Sequence, residues 1–209
     1  MQARKAWGAM FLLATLGALA LVWRGRGSGE TPPHVSADWR SALSSWRHPD
    51  ALPNLPFVDG HGQPFSLDEL RDSWVLVGFV FTRCGNPEAC PLTMQQMRSV
   101  QAAWTSSDPP LELLAVTIDP TYDTPERLEA YAHTFGRASG LPRWRMATGD
   151  EEMIASLLPQ LFNILVLPEG ETLTHTVKLA LLRPGLVLED EWEGAVPVSE
   201  ILKRIRSEE

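Results

Sequence analysis

Two short apolar runs, joined by one predicted helix, limit most strongly how this chain can fold. Trp74–Phe81 reads WVLVGFVF and Leu111–Ile118 reads LELLAVTI. Nearly unbroken runs of this kind are typical of strands that are buried on both faces of a sheet. Pro91 begins a helix between them, and Met94 and Met97 on its apolar face are expected to pack in the core rather than bind metal. The pattern predicts an α/β fold in which helices cover both faces of the sheet.

The remaining periodicity predicts a mixed sheet within one domain, residues 51–209. An entry hairpin over Leu52–Asp72 turns at Asp59–Gly62. Thr124 and Pro125 are the expected N-cap and first residue of the helix that follows the second apolar run. Other predicted elements are a short helix at Ser36–Trp46, a helix at Asp150–Leu158, strands at Leu161–Val166, His175–Leu182 and Leu186–Asp190, and a helix from Ser199.

The first residues of the chain differ from the rest, because Ala6–Trp23 is an uncharged run with basic residues on both sides. Its eighteen residues suffice to cross a hydrocarbon core of about 30 Å. The sequence therefore predicts a membrane anchor within residues 1–26, followed by a linker and juxtamembrane segment at 27–50. A cleaved signal peptide is the alternative, since Ala18-Leu19-Ala20 resembles a cleavage site. Basic residues on both flanks leave the orientation open.

The charge balance excludes one class of partner. Without the four basic residues that flank the apolar run, 14 basic residues remain against 26 acidic ones. So acidic a domain is poorly suited to bind nucleic acid or anionic lipid surfaces.

The chain has two cysteines, Cys84 and Cys90. Cys84 follows the first apolar run, at the strand end where sites in α/β sheets usually form. Cys90 precedes the helix, whose dipole is expected to lower the pKa of its thiol. The pair is compatible with metal binding or disulfide exchange. Two buried structural thiols, or a structural disulfide that closes a small loop with a modest entropic gain, are the alternatives.

A zinc site would need four ligands, and the chain has no third cysteine. Of its five histidines, His175 differs from the others because it opens a predicted strand in register with the buried face. Two thiolates together with one imidazole would favour copper.

Several motifs together resemble the Sco/SenC family of copper-binding, thioredoxin-like proteins. They are VGFVFTRC and CP within Val77–Pro91, VTIDPTYDTPERLEAYA at Val116–Ala132, WRMATG at Trp144–Gly149, and His175 before a late strand. The resemblance runs from about Leu55 to the C-terminus. It implies a thioredoxin-like mixed sheet flanked by helices, with an N-terminal β-hairpin extension and a single N-terminal transmembrane helix. It also implies a membrane-anchored domain on the non-cytoplasmic side, periplasmic or equivalent.

The resemblance further implies a copper site made of Cys84, Cys90 and His175. It implies copper delivery to the dinuclear centre of cytochrome c oxidase, or reduction of the thiols of that centre. Asp119 and Asp123 match the acidic motif of the family, and we interpret them as helix-capping and supporting residues rather than ligands. A thiol–disulfide oxidoreductase that uses a redox-active Cys84/Cys90 disulfide is the alternative function. A peroxidase is less well supported, because no peroxidatic Pro-x-x-x-Thr-x-x-Cys pattern precedes either cysteine.

The chain departs from the family in one respect. The usual spacing is Cys-x₃-Cys-Pro, whereas five residues, Gly85–Ala89, separate the two cysteines here. The metal affinity, the redox potential and the choice of client are expected to depend on this loop.

Overall fold

The computed structural model describes residues 39–47, 50–169 and 172–207. The predicted membrane anchor and most of the predicted linker lie outside these residues. None of the helices within the described ranges has the length and apolar character needed to cross a membrane.

The described residues form nine strands, five α-helices and one 3₁₀ turn. The strands are β1 (Pro56–Asp59), β2 (Pro64–Ser66), β3 (Trp74–Val80), β4 (Leu111–Thr117), β5 (Arg143–Thr148), β6 (Val166–Glu169), β7 (Thr172–His175), β8 (Lys178–Arg183) and β9 (Val187–Glu193). The helices are α1 (Trp39–Ser45), α2 (Cys90–Ala103), α3 (Pro125–Thr134), α4 (Glu151–Leu161) and α5 (Val198–Arg206), and the 3₁₀ turn spans Leu67–Leu70.

Seven strands form one mixed sheet in the order β2-β1-β5-β4-β3-β8-β9. β3, β4 and β5 run parallel, and β1 and β8 run antiparallel to their neighbours β5 and β3. Every residue of β3 and of β4 is buried, as the two apolar runs predict. The predicted entry hairpin is confirmed as β1 and β2.

Helices cover both faces of this sheet. On one face Gly78 lies directly under α2, since a Cβ at this position would stand 2.7 Å from Thr93 Cγ2 and 2.9 Å from Met97 Sδ. On the other face the ring of Phe79 packs 4.9 Å from the ring of Phe162, which follows α4. Met97, like Met94, is completely buried, so its predicted place in the core is confirmed.

The helix starts agree closely with the sequence patterns. The Thr124 hydroxyl accepts a hydrogen bond from the Arg127 N–H, and Pro125 is the first residue of α3, as predicted. Asp150 caps α4 by accepting from the Met153 N–H at 2.9 Å. α2 begins at Cys90, one residue before the predicted Pro91.

The sequence patterns do not predict two elements after α3 correctly. β5 was not predicted, because its two arginines, Arg143 and Arg145, hide an alternation that buries Trp144 and Met146. The predicted strand Leu161–Val166 does not form, since α4 continues to Leu161.

The predicted strand His175–Leu182 is divided in two. β7 ends at His175, and β8 begins at Lys178. β7 pairs only with β6, in a separate two-stranded sheet, so that Val166 lies opposite His175. His175 therefore lies on a hairpin beside the main sheet rather than within it.

Candidate metal centre

The end of β3 and the start of α2 hold the two cysteines near each other. The Phe81 N–H donates to Cys90 Sγ at 3.4 Å, and the Cys84 N–H donates to the Phe81 carbonyl at 3.3 Å. Cys90 is completely buried and Cys84 is half-buried. Both are free thiols.

His175 brings a third donor to this place from the β6–β7 hairpin. Its Nε2 lies 3.4 Å from Cys90 Sγ, and its Nδ1 lies 2.8 Å from the carbonyl oxygen of Thr176. Because a carbonyl only accepts, Nδ1 carries the hydrogen, and the lone pair of Nε2 faces the sulfur. Burial lowers the pKa of His175 and so favours the neutral ring. Metal-binding histidines are commonly oriented in this way, through a backbone carbonyl on the other ring nitrogen.

The expected lowering of the Cys90 pKa is wrong. Burial is the largest cause and raises the pKa of this thiol; the Phe81 N–H opposes the shift, and the nearby Cys84 adds to it. A helix N-terminus contributes only about 0.3–1 kcal/mol at exposed sites, which shifts the pKa of a thiol by less than about one unit. Complete burial moves a pKa by up to about 3–5 units, and so it dominates. Cys90 is therefore a neutral thiol that donates to His175 Nε2 in the metal-free protein.

Cys84 lies beside this pair without completing it. Its Sγ lies 3.7 Å from the carbonyl oxygen of Asn86, in the five-residue loop. Cys84 and His175 line one cavity of about 280 Å³, with Phe81 and Leu173 in its wall. Within the described ranges, no three His, Cys, Asp or Glu side chains are already arranged to hold one metal ion. The structure thus brings Cys90 and His175 together and leaves Cys84 at the edge of the same cavity.

The Cys90–His175 separation fits a shared metal ion. With metal–sulfur and metal–nitrogen bonds of about 2.3 Å and 2.0–2.1 Å, as found for zinc, two ligands at a tetrahedral angle lie roughly 3.5 Å apart. The observed distance is 3.4 Å. These two donors therefore need little movement to bind one ion.

Asp119 and Asp123 support the segment that leads to Cys84, and the prediction that they cap a helix is wrong because Thr124 is the cap. The Asp123 carboxylate accepts from the Thr82 N–H at 3.1 Å and from the Thr82 hydroxyl at 2.5 Å. Asp119 accepts from Arg83 at 2.9 Å. Burial raises the pKa of Asp123. The two carboxylates thus fix the two residues immediately before Cys84.

Comparison with known proteins places the chain in a family. The model of the SCO1/SenC family matches residues 48–208. The chain belongs to the SCO1/SenC family. A Stutzerimonas stutzeri protein that is provisionally named as copper-binding is 33% identical over 140 residues, which are 64% of this chain and 65% of that protein. The match thus spans slightly less than two thirds of the length of this relative.

Two solved Sco structures share the fold of this SCO1/SenC chain. BsSco, described as a cytochrome c oxidase assembly protein with a disulfide switch, aligns with a TM-score of 0.66 and 22% identity over 77% of this chain and 94% of its own. Yeast Sco1 with copper bound aligns with a TM-score of 0.61 and 19% identity over 76% of this chain and 90% of its own. At these identities the likeness shows the fold, and it confirms the predicted thioredoxin-like mixed α/β architecture.

Tyr131, on α3 of this SCO1/SenC chain, carries a buried polar group that the sequence patterns do not indicate. Its hydroxyl is buried and has no hydrogen-bond partner among the described residues. Burial raises the pKa of Tyr131. The helical spacing of Tyr131 marks a buried ring, and no sequence signal indicates where its hydroxyl points.

Proposed function

We propose that this protein carries one copper ion on Cys84, Cys90 and His175 and delivers it to a copper protein such as a cytochrome c oxidase subunit. The observation that carries the proposal is the 3.4 Å contact between Cys90 Sγ and His175 Nε2, with the other ring nitrogen held by a backbone carbonyl. Membership of a family with copper-bound structures supports it. Two thiolates and one imidazole form a ligand set that favours copper, in particular Cu(I).

Copper is the cargo in this account, and the side chains prepare its binding. His175 offers an unprotonated nitrogen because burial keeps its pKa low. Cys90 gives up its thiol proton when the ion binds, so loading releases protons. Cys84 turns from the Asn86 carbonyl towards Cys90 to complete the ligand set. Because Cys84 is the more exposed sulfur, it is the ligand that an acceptor thiolate displaces first.

The cellular setting follows from the family resemblance and the N-terminal sequence. In our proposal Ala6–Trp23 tethers the protein to a membrane. The domain then faces the non-cytoplasmic side, where copper centres of respiratory oxidases are assembled.

Anaerobic Cu(I) competition titration of the reduced full-length protein tests the proposal. His175→Ala should weaken Cu(I) binding by more than about 100-fold, because loss of a mere supporting partner of a ligand already costs about 10–100-fold. Cys84→Ser and Cys90→Ser should weaken it as well. His133→Ala is the matched control, since the side chain of His133 is 68% exposed and pairs with Glu129. Unchanged affinity in His175→Ala would contradict the three-ligand site.

A thiol–disulfide oxidoreductase is the second candidate, favoured by the unequal exposure of the two free thiols. The Cys84 thiolate would attack a client disulfide, forming a mixed disulfide and releasing one client thiolate. Cys90 would then attack Cys84 Sγ and release the second client thiolate. The client gains two electrons and two protons, and the protein is left with a Cys84–Cys90 disulfide. His175→Ala should leave this exchange largely intact, whereas a reduction potential of the Cys84/Cys90 pair far above that of the client disulfide would contradict it, because the dithiol could not then reduce the client.

A further inference from the structure

Exposed apolar side chains gather at the hairpin that carries His175. The large hydrophobic residues exposed in the described part of the chain are Tyr122, Leu141, Leu165 and Leu167. Leu165 and Leu167 are 61% and 47% exposed and lie at and beside the start of β6. Neighbouring exposed apolar residues of this kind mark interaction surfaces more often than single ones do.

Leu165 forms one side of an apolar groove of about 450 Å³. The other walls come from the loop after β4, from α4 and from the rest of the hairpin. Its apolar lining includes Pro120, Ile154, Leu158, Ile164, Leu165 and Leu173. Leu173 also lines the cavity that holds Cys84 and His175, so the groove and the candidate metal centre adjoin each other.

A protein that takes copper directly from Cys84 lies beside this groove, since Leu173 lines both the groove and the cavity of Cys84 and His175. Ligand exchange requires donor atoms of the acceptor to bond to the same ion as Cys84 Sγ. An interface of standard size buries about 800 Å² on each partner, which corresponds to a radius of about 16 Å. The loop of Gly85–Glu88 supplies exposed surface next to Cys84. The groove supplies apolar surface next to the same cavity.

The charges in the groove are acidic. Its charged lining residues are Asp119 and Glu151. Asp119 is paired with Arg83, whereas Glu151 is exposed and has no ion-pair partner among the residues that the structure describes. The neighbouring Glu152 is paired with Arg40. The chain as a whole also has more acidic than basic residues, so its net charge is negative like that of the groove. A complementary partner therefore carries a basic group beside an apolar one.

We propose that this groove is the docking surface for the copper acceptor, which inserts an apolar side chain beside Leu165 and places a lysine or arginine against Glu151. The inference rests on the proposed copper delivery and adds to it the face and the chemistry by which the acceptor is recognised. Docking here places the acceptor beside the cavity that Cys84 and His175 line.

Copper-transfer kinetics test the docking surface with full-length, Cu(I)-loaded protein. The probe is the soluble copper domain of the cytochrome c oxidase subunit from the same organism. Leu165→Ser should lower the second-order transfer rate constant by about tenfold or more, the loss expected when one leucine is no longer buried. Glu151→Lys should lower it by about threefold and reduce its dependence on salt.

Leu141→Ser is the matched control. Leu141 is 76% exposed but precedes β5, at the opposite end of the parallel strands from Cys84. It should transfer copper at the wild-type rate. All three variants should keep the wild-type Cu(I) affinity and the wild-type rate of copper loss to a small chelator, because neither readout needs the groove.

Transfer by Leu165→Ser at the rate of wild type or of Leu141→Ser would overturn the docking surface and leave the copper site intact. The proposal would also be overturned if the wild-type protein were a dimer in sedimentation, if Leu165→Ser dissociated this dimer, and if copper transfer were unaffected. The groove would then be occupied by a second copy of the chain. Copper binding without any transfer to the probe would contradict both this acceptor and its docking. Failure of the proposed function itself would appear earlier, in the Cu(I) titration.

Discussion

The two sides of the candidate centre are built very differently. The inner side consists of Phe81 and Cys90, at the junction of β3 and α2, which belong to the main sheet and to the helix that packs on it. The outer side consists of Cys84 on its loop and His175 on the β6–β7 hairpin. Next to the base of this hairpin, Lys178 Nζ donates to the Phe162 carbonyl at 2.9 Å.

This difference indicates that the two sides have different roles in the proposed copper delivery. The inner side fixes one sulfur in a rigid, dry position, while the outer side presents a sulfur and an imidazole that can adjust to an ion and exchange with a partner. Short two-stranded sheets are marginally stable by themselves, whereas the completely buried β3 and β4 form the core. Cargo release should therefore depend on the outer side.

The largest expected contrast is in stability. Met97→Ala removes a completely buried side chain under β3 and should lower the free energy of unfolding by about 2–5 kcal/mol. Leu173→Ala acts on a half-buried residue of the hairpin and should cost less than about 1.5 kcal/mol. Urea unfolding of the two variants measures both values. Equal losses would show that the hairpin is as much a part of the core as β3.

The next contrast concerns the two thiols. At about pH 8, Cys84 should react with iodoacetamide at least about tenfold faster than Cys90, because Cys90 is buried and its pKa is raised. Peptide mass spectrometry of the reduced, metal-free protein measures each rate. The urea-unfolded protein serves as the control, in which the two rates should converge. Faster alkylation of Cys90 would reverse the assignment of inner and outer sulfur.

The smallest expected effect is a pH dependence from His175. Its pKa in the folded protein lies below the ordinary value of 6.5, so the unfolded chain binds the proton more readily. Stability should therefore fall as the pH drops from 6.5 towards the lowered pKa and change no further from this group below it. His175→Gln should flatten the slope between about pH 5 and pH 7.5 in urea titrations of the metal-free protein. His133→Gln, which alters an exposed histidine, should keep it, and an unchanged slope in His175→Gln would mean that His175 is not buried in the neutral form.

The inner side was largely predictable from the sequence, and the outer side was not. β3, β4 and the start of α3 follow from unbroken apolar runs and from the Thr124–Pro125 cap, which are local signals. The division of His175–Leu182 into β7 and β8 depends on pairing with β6, which no local pattern encodes. β5 could have been found from its alternation, with Trp144 and Met146 inward and the two arginines outward.

The identity of the candidate sulfur ligands was predictable from the sequence, but the chemistry of the site was not. Cys84 and Cys90 stand out in the sequence, but the pKa of Cys90 depends on burial by distant elements, which outweighs the local helix terminus. The roles of Asp119 and Asp123 as partners of Arg83 and Thr82 likewise depend on how β3 and β4 align. The buried hydroxyl of Tyr131 is visible only in three dimensions.

X-ray absorption at the copper edge of the reduced, Cu(I)-loaded protein tests the central claim most directly. We expect two sulfur ligands and one nitrogen ligand on a single copper ion, and a loss of the nitrogen contribution alone in His175→Ala. A site with two sulfur ligands and no nitrogen in the wild-type protein, or a nitrogen contribution that survives His175→Ala, would contradict it.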